Sequence, residues 1–421
     1  MAASPATIPA FSVLTLAELQ RSVTTAAAAY RCRRRLQPGG GEGDKVFPPT
    51  FAGAGYAIEH RRVPGRTDPV TCVLLDSVQS QANRMEAALQ EAVDGKEISI
   101  PVVAVDFGPY GPASRDDGSI QLLDSVGKIT SLQLPHRLAD AILRDSEYNG
   151  VAFRQSEASR DLNSATPLNA TALYQLCPTA LIFGMWDSTG PKGGLGAKFE
   201  RAVVSEVVGF DAAISNDHKN LGVRRDPLEA SSSVPIAKNP DGTWTVAEDP
   251  KKKGLVKPSN INHGSVPFSN ANSGTTIGYA EQLTTLSLVT LRRLRFPIVK
   301  NGTPILDGAI DAAGRAVLTA LALYAATRAF EPGMGLRSRC LLWPDTAMQW
   351  DLLAQPGGEP KRYTLTLDQA KALLESAIKA AKDAGLSWMT DELVLTPSKE
   401  LLKLVRLSQE QKVKDSPEAG E

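Results

Sequence analysis

The stretch from Thr179 to Val208 reads TALIFGMWDSTGPKGGLGAKFERAVVSEVV. Its first eight residues are mainly apolar and predict a buried strand that ends at Trp186, and a glycine-rich loop follows. Glycine lets backbone N–H groups approach a ligand closely, and Lys192 and Lys198 add positive charge to the loop. The stretch therefore predicts a contact with phosphate groups.

The spacing within this loop argues against two familiar phosphate sites. A P-loop needs Ser or Thr directly after its lysine, whereas Phe199 follows Lys198. A dinucleotide loop that starts at Gly194 and Gly196 would need its third glycine where Phe199 stands. Contact with a nucleic-acid backbone is the favoured interpretation. A mobile glycine hairpin and, with least support, a nucleotide-hydrolysis site are the alternatives.

The composition is typical of a soluble globular protein. The chain has 421 residues, of which 42% are hydrophobic and 22% charged, and 46 basic residues balance 46 acidic ones. A neutral chain can bind nucleic acid only through local basic clusters. The four cysteines are far apart in sequence, which argues against a zinc or redox site. With no signal-peptide pattern and an apolar run, 316–327, too short to cross a bilayer, we expect a cytoplasmic protein without a membrane segment.

A strand near the N-terminus presents a row of arginines. Residues 30–36 are predicted to be extended, so side chains alternate between the two faces. Arg31, Arg33 and Arg35 then lie on one face and Cys32 on the other. Such a row is suited to phosphate contacts.

A helix over 76–93 carries a second set of polar candidates. Its apolar residues recur at helical spacing and predict one buried stripe, with Asp76 as the N-cap. The other side is predicted to present short polar groups and one arginine to solvent. These residues are Ser80, Gln81, Asn83 and Arg84.

The order of predicted elements indicates an α+β fold. A strand, the helix 76–93, two strands, the helix 305–330 and a last strand give the ferredoxin-like βαββαβ order that RRM domains share. The two predicted strands between the helices are the runs 98–107 and 179–186, and the aromatic RNP pattern of a sheet-stacking RRM is missing. The expected organisation is an N-terminal helix in 1–29, a ferredoxin-like region in 30–345 with insertions at 47–70 and 211–275, C-terminal helices in 346–408 and a disordered tail in 409–421.

Five motifs carry a family resemblance. They read GDKVFPPT at 43–50, LDSVQSQANR at 75–84, PHR at 135–137, RDS at 144–146 and LIFGMWDSTGPKGGLGAK at 181–198. Together they resemble the backbone subunit of the type I-U, now I-G, CRISPR Cascade. This subunit is the Cas-seven type of the RAMP superfamily, and the resemblance runs from about residue 36 to residue 343.

The resemblance implies a scaffold for a guide RNA. Several copies would polymerise along one CRISPR RNA, each with a ferredoxin-like palm, while a thumb-like hairpin kinks the RNA and the guide stays free to pair with target DNA. Either insertion, 47–70 or 211–275, is a candidate thumb. The implied partners are CRISPR RNA, further copies of the chain, the large subunit, a fused five/six-type RAMP subunit and the target DNA strand. Neither a catalytic residue nor a metal or cofactor is expected.

The RNA-contact candidates combine the arginine row, the helix, the glycine loop and a later basic run. They are Arg31, Arg33, Arg35, Lys45, Ser80, Gln81, Asn83, Arg84, Lys192, Gly194, Gly196, Lys198, Arg201, Arg292, Arg293 and Arg295.

An alternative function is a metal-independent RAMP-type endoribonuclease that processes CRISPR RNA. It would need a general base near the scissile phosphate. His60, His136 and His263 are the candidates for that role.

Overall fold

A computed structural model describes residues 11–51, 55–112, 120–188, 198–214, 220–224, 226–239, 243–250, 253–264, 266–269, 274–300 and 302–415. The chain divides into two compact units. The larger consists of Met1–Asp106, Lys128–Ala213 and Thr276–Thr396, and the smaller of Phe107–Gly127, Ile214–Thr275 and Pro397–Glu421.

The larger unit is built on a ten-stranded sheet. Its strands are β1 (Ser12–Val13), β2 (Ala29–Pro38), β3 (Ile58–Arg61), β4 (Val70–Asp76), β5 (Val203–Phe210), β6 (Tyr279–Ser287), β7 (Met334–Arg337), β8 (Cys340–Pro344), β9 (Gln349–Leu353) and β10 (Lys361–Thr364). The strand order is β1-β10-β9-β2-β6-β5-β4-β3, and β8 pairs with both β2 and β7. The mixed α+β class predicted from the sequence is confirmed.

In the part of the chain that the structure describes, five helices are longer than eight residues. They are α1 (Leu16–Thr24), α2 (Val78–Asp94), α3 (Gly308–Phe330), α4 (Leu367–Asp383) and α5 (Lys399–Asp415). The N-cap of helix α1 is Thr15, whose side chain accepts a hydrogen bond from the N–H of Glu18. Ser77, rather than the predicted Asp76, is the N-cap of α2.

Helix α3 lies in the core, as its apolar sequence predicted. It is the one helix of the described residues that is long and apolar enough to cross a membrane, but 83% of its most apolar window is buried inside the protein. Helices α2 and α4 pack against it. Its burial is that of a core helix.

Four central strands of the sheet have a regular topology. Along the chain they are β2, β5, β6 and β9, with α2 between the first two and α3 between the last two. In the sheet their order is β9-β2-β6-β5, and each neighbouring pair is antiparallel. Numbered along the chain, the four strands therefore stand in the order fourth, first, third, second.

Two predicted strands lie elsewhere. Pro178–Phe183 is a short helix, and the strand that follows it, Met185–Trp186, is outside the main sheet. A fully buried apolar run lacks the alternation that separates a strand from a helix, and Pro178 suits the first turn of a helix. From the run 98–107, Val103–Asp106 is a strand of a separate five-stranded sheet.

The remaining elements of the larger unit are short. The second sheet has the strand order Val151–Ala152, Ser146–Tyr148, Leu393–Pro397, Val103–Asp106 and Lys128–Thr130, of which Pro397 belongs to the smaller unit. Further strands are Lys45–Val46, Thr50–Phe51, Gly55–Tyr56, Met185–Trp186, Lys198–Phe199, Ile298–Lys300 and Thr303–Ile305. The short helices are Arg137–Ala139, Ala141–Arg144, Phe153–Gln155, Glu157–Ser164, Thr171–Leu176, Pro178–Phe183 and Leu288–Leu291.

The smaller unit contains much of the predicted insertion 211–275. Asn220–Arg224 pairs with Val266–Ser269, and Ile236–Lys238 pairs with Trp244–Val246. Gly108–Tyr110 and Pro258–Ile261 are short helices, and Thr275–Thr276 is a short strand at the boundary. Helix α5 continues to Asp415, beyond residue 409 where we predicted the tail to begin.

Candidate nucleic-acid interface

The arginine row on β2 alternates as predicted. Arg31, Arg33 and Arg35 point away from the core, whereas Cys32 is buried. Arg34 is also buried and donates from Nη1 to the carbonyl oxygen of Phe330 at 2.7 Å. The row therefore lies on the surface of the sheet, whereas Arg34 points into the core and has a structural role.

Carboxylates on neighbouring segments pair with every arginine of this row. Arg31 lies 2.8 Å from Asp351, and Arg33 and Arg35 each lie 3.5 Å from the carboxylates of Glu281 and Asp345. Exposed pairs of this kind contribute about 0–1 kcal/mol, so a phosphate can displace them. RNA that binds here must nevertheless compete with these carboxylates.

Gln81 is fully buried, so the prediction that it lies on the solvent side of the helix is wrong. Its amide nitrogen donates to Asp76 Oδ2 at 2.6 Å, and its amide oxygen accepts from Ser205 Oγ at 2.8 Å and from Gln282 Nε2 at 3.0 Å. These partners come from β4, β5 and β6. The hydrogen-bond network that they form fixes α2 against the sheet.

Arg84 also has a structural partner. Its Nε donates to the buried carboxylate of Asp76 at 2.9 Å, and its Nη2 donates to the carbonyl oxygen of Leu336 at 2.7 Å. Arg337 approaches the same carboxylate at 3.6 Å. On the same helix Asn83 is exposed and Ser80 is half-buried. Of the four predicted contacts on α2, Asn83 is the one that stands fully in solvent.

The run at 292–295 mixes structural and exposed arginines. Arg292 donates to the carbonyl oxygens of Thr25 and Ala27, just beyond the C-terminus of α1. Arg295 binds the buried carboxylate of Asp311 at 2.9 Å. Arg293 is exposed and lies 2.6 Å from Glu200.

The clearest cationic site is an open cleft of about 570 Å³ beside the hairpin of Met185–Trp186 and Lys198–Phe199. Trp186 and Lys198 are directly opposite each other in this hairpin, so their side chains share one face. Both are exposed, as is His136 on the neighbouring turn. We call this site the Trp186 cleft; Arg201 completes its lining.

The charge of the Trp186 cleft is positive. Glu200, which lines it, is bound by Arg293, and within the described residues neither Lys198 nor Arg201 has a carboxylate at salt-bridge distance. Arg201 donates from Nε to the carbonyl oxygen of Phe183 at 3.1 Å. Burial, with the repulsion of Arg137, lowers the pKa of Arg201. An arginine stays protonated in proteins, so two cations face an exposed indole.

A buried ion pair lies under the cleft. Arg137 donates from Nε and Nη2 to the carboxylate of Glu86 on α2, at 2.7 and 2.8 Å, and from Nη1 to the carbonyl oxygen of Gly184 at 2.9 Å. Burial raises the pKa of the Glu86 carboxyl although the two hydrogen bonds from Arg137 lower it. The PHR motif therefore contributes an exposed imidazole, that of His136, and a buried anchor, Arg137.

The structure describes the two ends of the glycine loop, up to residue 188 and from residue 198. Lys192, Gly194 and Gly196 lie outside the described residues. Lys45, from another motif, is exposed on a short strand. Trp186 was missing from the predicted contacts, although it stood at the end of the quoted apolar run. An exposed aromatic residue next to a glycine loop with lysines was the signal that could have identified it.

Groups for catalysis are sparse in the described part of the chain. No cluster of three or more His, Cys, Asp or Glu side chains there is suited to a metal ion. All four cysteines are buried and free. Of the candidate bases, His136 lines the Trp186 cleft, His60 lies on β3, and His263 packs edge-on against Trp244 in the smaller unit.

Comparison with known families gives one match. Residues 30–214 match the family model described as CRISPR-associated protein GSU0053, a segment that is somewhat less than half of the chain. The match indicates a CRISPR-associated protein of the Cas-seven-like kind, with a role in CRISPR defence. No curated protein matches the chain.

Proposed function

We propose that this protein is the guide-RNA-binding backbone subunit of a type I-U/I-G CRISPR Cascade. In this proposal several copies polymerise along one CRISPR RNA and present its bases to target DNA. The large subunit, a fused five/six-type RAMP subunit and the target strand are the further partners, in the cytoplasm. The subunit binds and orders RNA without cleaving it.

The topology of the central strands supports a ferredoxin-like palm. In that fold two βαβ halves interleave, so that the four strands stand in the order fourth, first, third, second. The strands β2, β5, β6 and β9 have this order, with α2 and α3 as the connecting helices. The strands that fulfil it differ from those predicted, but the βαββαβ order is the same.

The observation that carries the proposal is the position of the Trp186 cleft. All of its lining residues, from Pro135 to Arg201, fall inside the segment that matches a CRISPR-associated family. The cleft joins two free cations to an exposed indole. Cations hold phosphates, and an indole stacks on any base, which is the chemistry of binding to single-stranded nucleic acid.

In this proposal the residues of the cleft bind different parts of the RNA. Lys198 and Arg201 would neutralise successive phosphates, and Trp186, opposite Lys198, would stack on one unpaired base. None of these contacts reads a base edge. Binding of this kind depends strongly on salt and little on sequence, as a guide scaffold requires.

Co-expression with a CRISPR transcript tests the proposal. We expect the purified protein to retain RNA of one defined length, and the double variant Lys198→Ala, Arg201→Ala to lose most of it. The matched control is Lys379→Ala with Lys382→Ala on α4, which removes the same charge from exposed positions and should retain RNA. Wild-type protein free of RNA, or equal loss in both double variants, would contradict the proposal.

The ribonuclease alternative has one observation in its favour, the exposed His136 in the cleft. A general base at that position would act on RNA held by Lys198 and Arg201. The variant His136→Ala decides between the two functions. A scaffold yields RNA of unchanged length, whereas a nuclease yields unprocessed precursor.

A further inference from the structure

A buried ion pair, Arg137 with Glu86, supports the wall of the Trp186 cleft. The strand that carries Trp186 starts directly after Gly184, and the carbonyl oxygen of Gly184 accepts a hydrogen bond from Arg137 Nη1 at 2.9 Å. The other two bonds of that guanidinium go to Glu86 in the middle of α2. One buried side chain thus links the base of the hairpin to the helix beneath it.

Gly184 and Arg137 both have positive φ angles. Gly184 has φ +83°, and a Cβ there would lie 3.1 Å from the backbone nitrogen of Arg201 and from the carbonyl oxygen of Phe199. Arg137 itself has φ +51°, a conformation that is uncommon for residues other than glycine. Both residues are held in these conformations by their surroundings, so the direction of the strand after Gly184 is tightly specified.

A second ion pair fixes the hairpin on the far side of Trp186. Asp187, the next residue, is nearly buried and binds Arg154 at 2.9 Å. Trp186 is therefore an exposed residue that lies between two anchored positions, Gly184 and Asp187. An exposed indole without such anchors would sample many orientations, and ordering it would weaken ligand binding.

We propose that Arg137 is a positioning residue of the Trp186 cleft: its fork ties Gly184 to α2 and so sets the direction of the indole and of the opposed Lys198. The expected effect of Arg137 on RNA affinity rests on the proposed function. The position of the indole can be measured without RNA. We do not count Arg137 with Lys198 and Arg201 as a phosphate-binding cation, because Glu86 neutralises its charge.

The variant Arg137→Lys tests this role. A lysine keeps the charge beside Glu86 but cannot reproduce the planar fork that bonds two partners at once. The matched control is Arg315→Lys, which makes the same change at another buried arginine that donates to a backbone carbonyl, that of Leu294. Both variants are made in a background with Trp244→Phe and Trp343→Phe, so that Trp186 is the remaining exposed tryptophan.

Acrylamide quenching of tryptophan fluorescence reports the indole, and titration with guide RNA reports the cleft. We expect Arg137→Lys to change the quenching of Trp186 and to weaken RNA binding by about tenfold or more, the equivalent of one charge-assisted hydrogen bond. Arg315→Lys should leave both values unchanged. If Arg137→Lys alters neither, or if Arg315→Lys alters both to the same extent, the positioning role is wrong.

A second variant covers the case in which Arg137→Lys does not fold. Glu86→Leu with Arg137→Met replaces both buried charges by apolar side chains, a change that buried ion pairs often tolerate. The Gly184 carbonyl still loses its donor, so the same changes in quenching and RNA affinity are expected. If the background protein binds no RNA, the proposed function fails, and the quenching comparison alone decides the role of Arg137.

Discussion

At the scale of single residues, Trp343 provides a matched control for a substitution of Trp186. It is 58% exposed, and Trp343 on β8 is 61% exposed. Because stacking of a base on an aromatic side chain contributes about 1–3 kcal/mol, Trp186→Ala should weaken RNA binding by roughly 5- to 150-fold. Trp343→Ala should bind as wild type does in the same titration. Equal affinities of the two variants would remove Trp186 from the interface.

Gln81 shows how a polar residue can be misjudged from its sequence. Gln81→Ala leaves Asp76, Ser205 and Gln282 without one of their buried partners. Since an unsatisfied buried group costs about 1–3 kcal/mol, the variant should melt at a clearly lower temperature. Asn83→Ala, an exposed change on the same helix, should alter stability by no more than about 0.5 kcal/mol. Melting temperatures that match in the two variants would refute the network.

The same network explains why the sequence pattern did not predict the burial of Gln81. The helical spacing correctly identified α2 and the apolar stripe of its buried side, because that side depends on residues within the helix. The burial of Gln81 depends on polar groups of β5 and β6, more than a hundred residues away in sequence. Local periodicity contains no information about such partners.

At the scale of elements, α1 is joined to the edge of the sheet by Glu18. Its carboxylate lies 3.1 Å from Lys361 Nζ on β10 and 3.0 Å from Arg21. The hydrogen bond with Tyr363, followed by these cations, lowers the pKa of Glu18, while burial raises the pKa of Tyr363. Helix α1 therefore depends on an ionised carboxylate.

The sign of the pH effect follows from the lowered pKa. Glu18 stabilises the fold above its unfolded pKa, and this stabilisation disappears as pH falls through the lower folded value. Glu18→Gln should lower the melting temperature at pH 7, and the difference from wild type should narrow as the pH falls below the ordinary value of 4.5. A difference that is constant with pH would contradict this. Glu400→Gln, an exposed substitution on α5, is the control for loss of a surface charge.

The elements that were predicted correctly share a strong local signal. Strand β2 alternates along its length, and α3 is a long apolar run. The segment Pro178–Phe183 was predicted as a strand but is helical, because a short buried run carries no periodicity. The Trp186 cleft was only half predicted, since Lys198 and Arg201 were named as RNA contacts and Trp186 was not. Strand pairing places Trp186 opposite Lys198, and the turn at 135–137 adds His136.

At the scale of the whole molecule, the net charge is zero. Long-range attraction to RNA is therefore weak, and binding must come from local sites such as the Trp186 cleft. The arginine row of β2 is matched by carboxylates, whereas Lys198 and Arg201 have none at salt-bridge distance in the described parts of the chain. In the proposed function, a single cleft of this size would give modest affinity, and many copies on one RNA would raise the total.

Native mass spectrometry can test the proposal that copies of this protein polymerise along one RNA. The purified protein is mixed with unstructured RNAs of increasing length and unrelated sequence, and the number of bound subunits is counted. We expect the number to rise in regular steps with RNA length, whatever the sequence, and Lys198→Ala with Arg201→Ala to abolish the steps. One subunit per RNA at every length, or none, would contradict it.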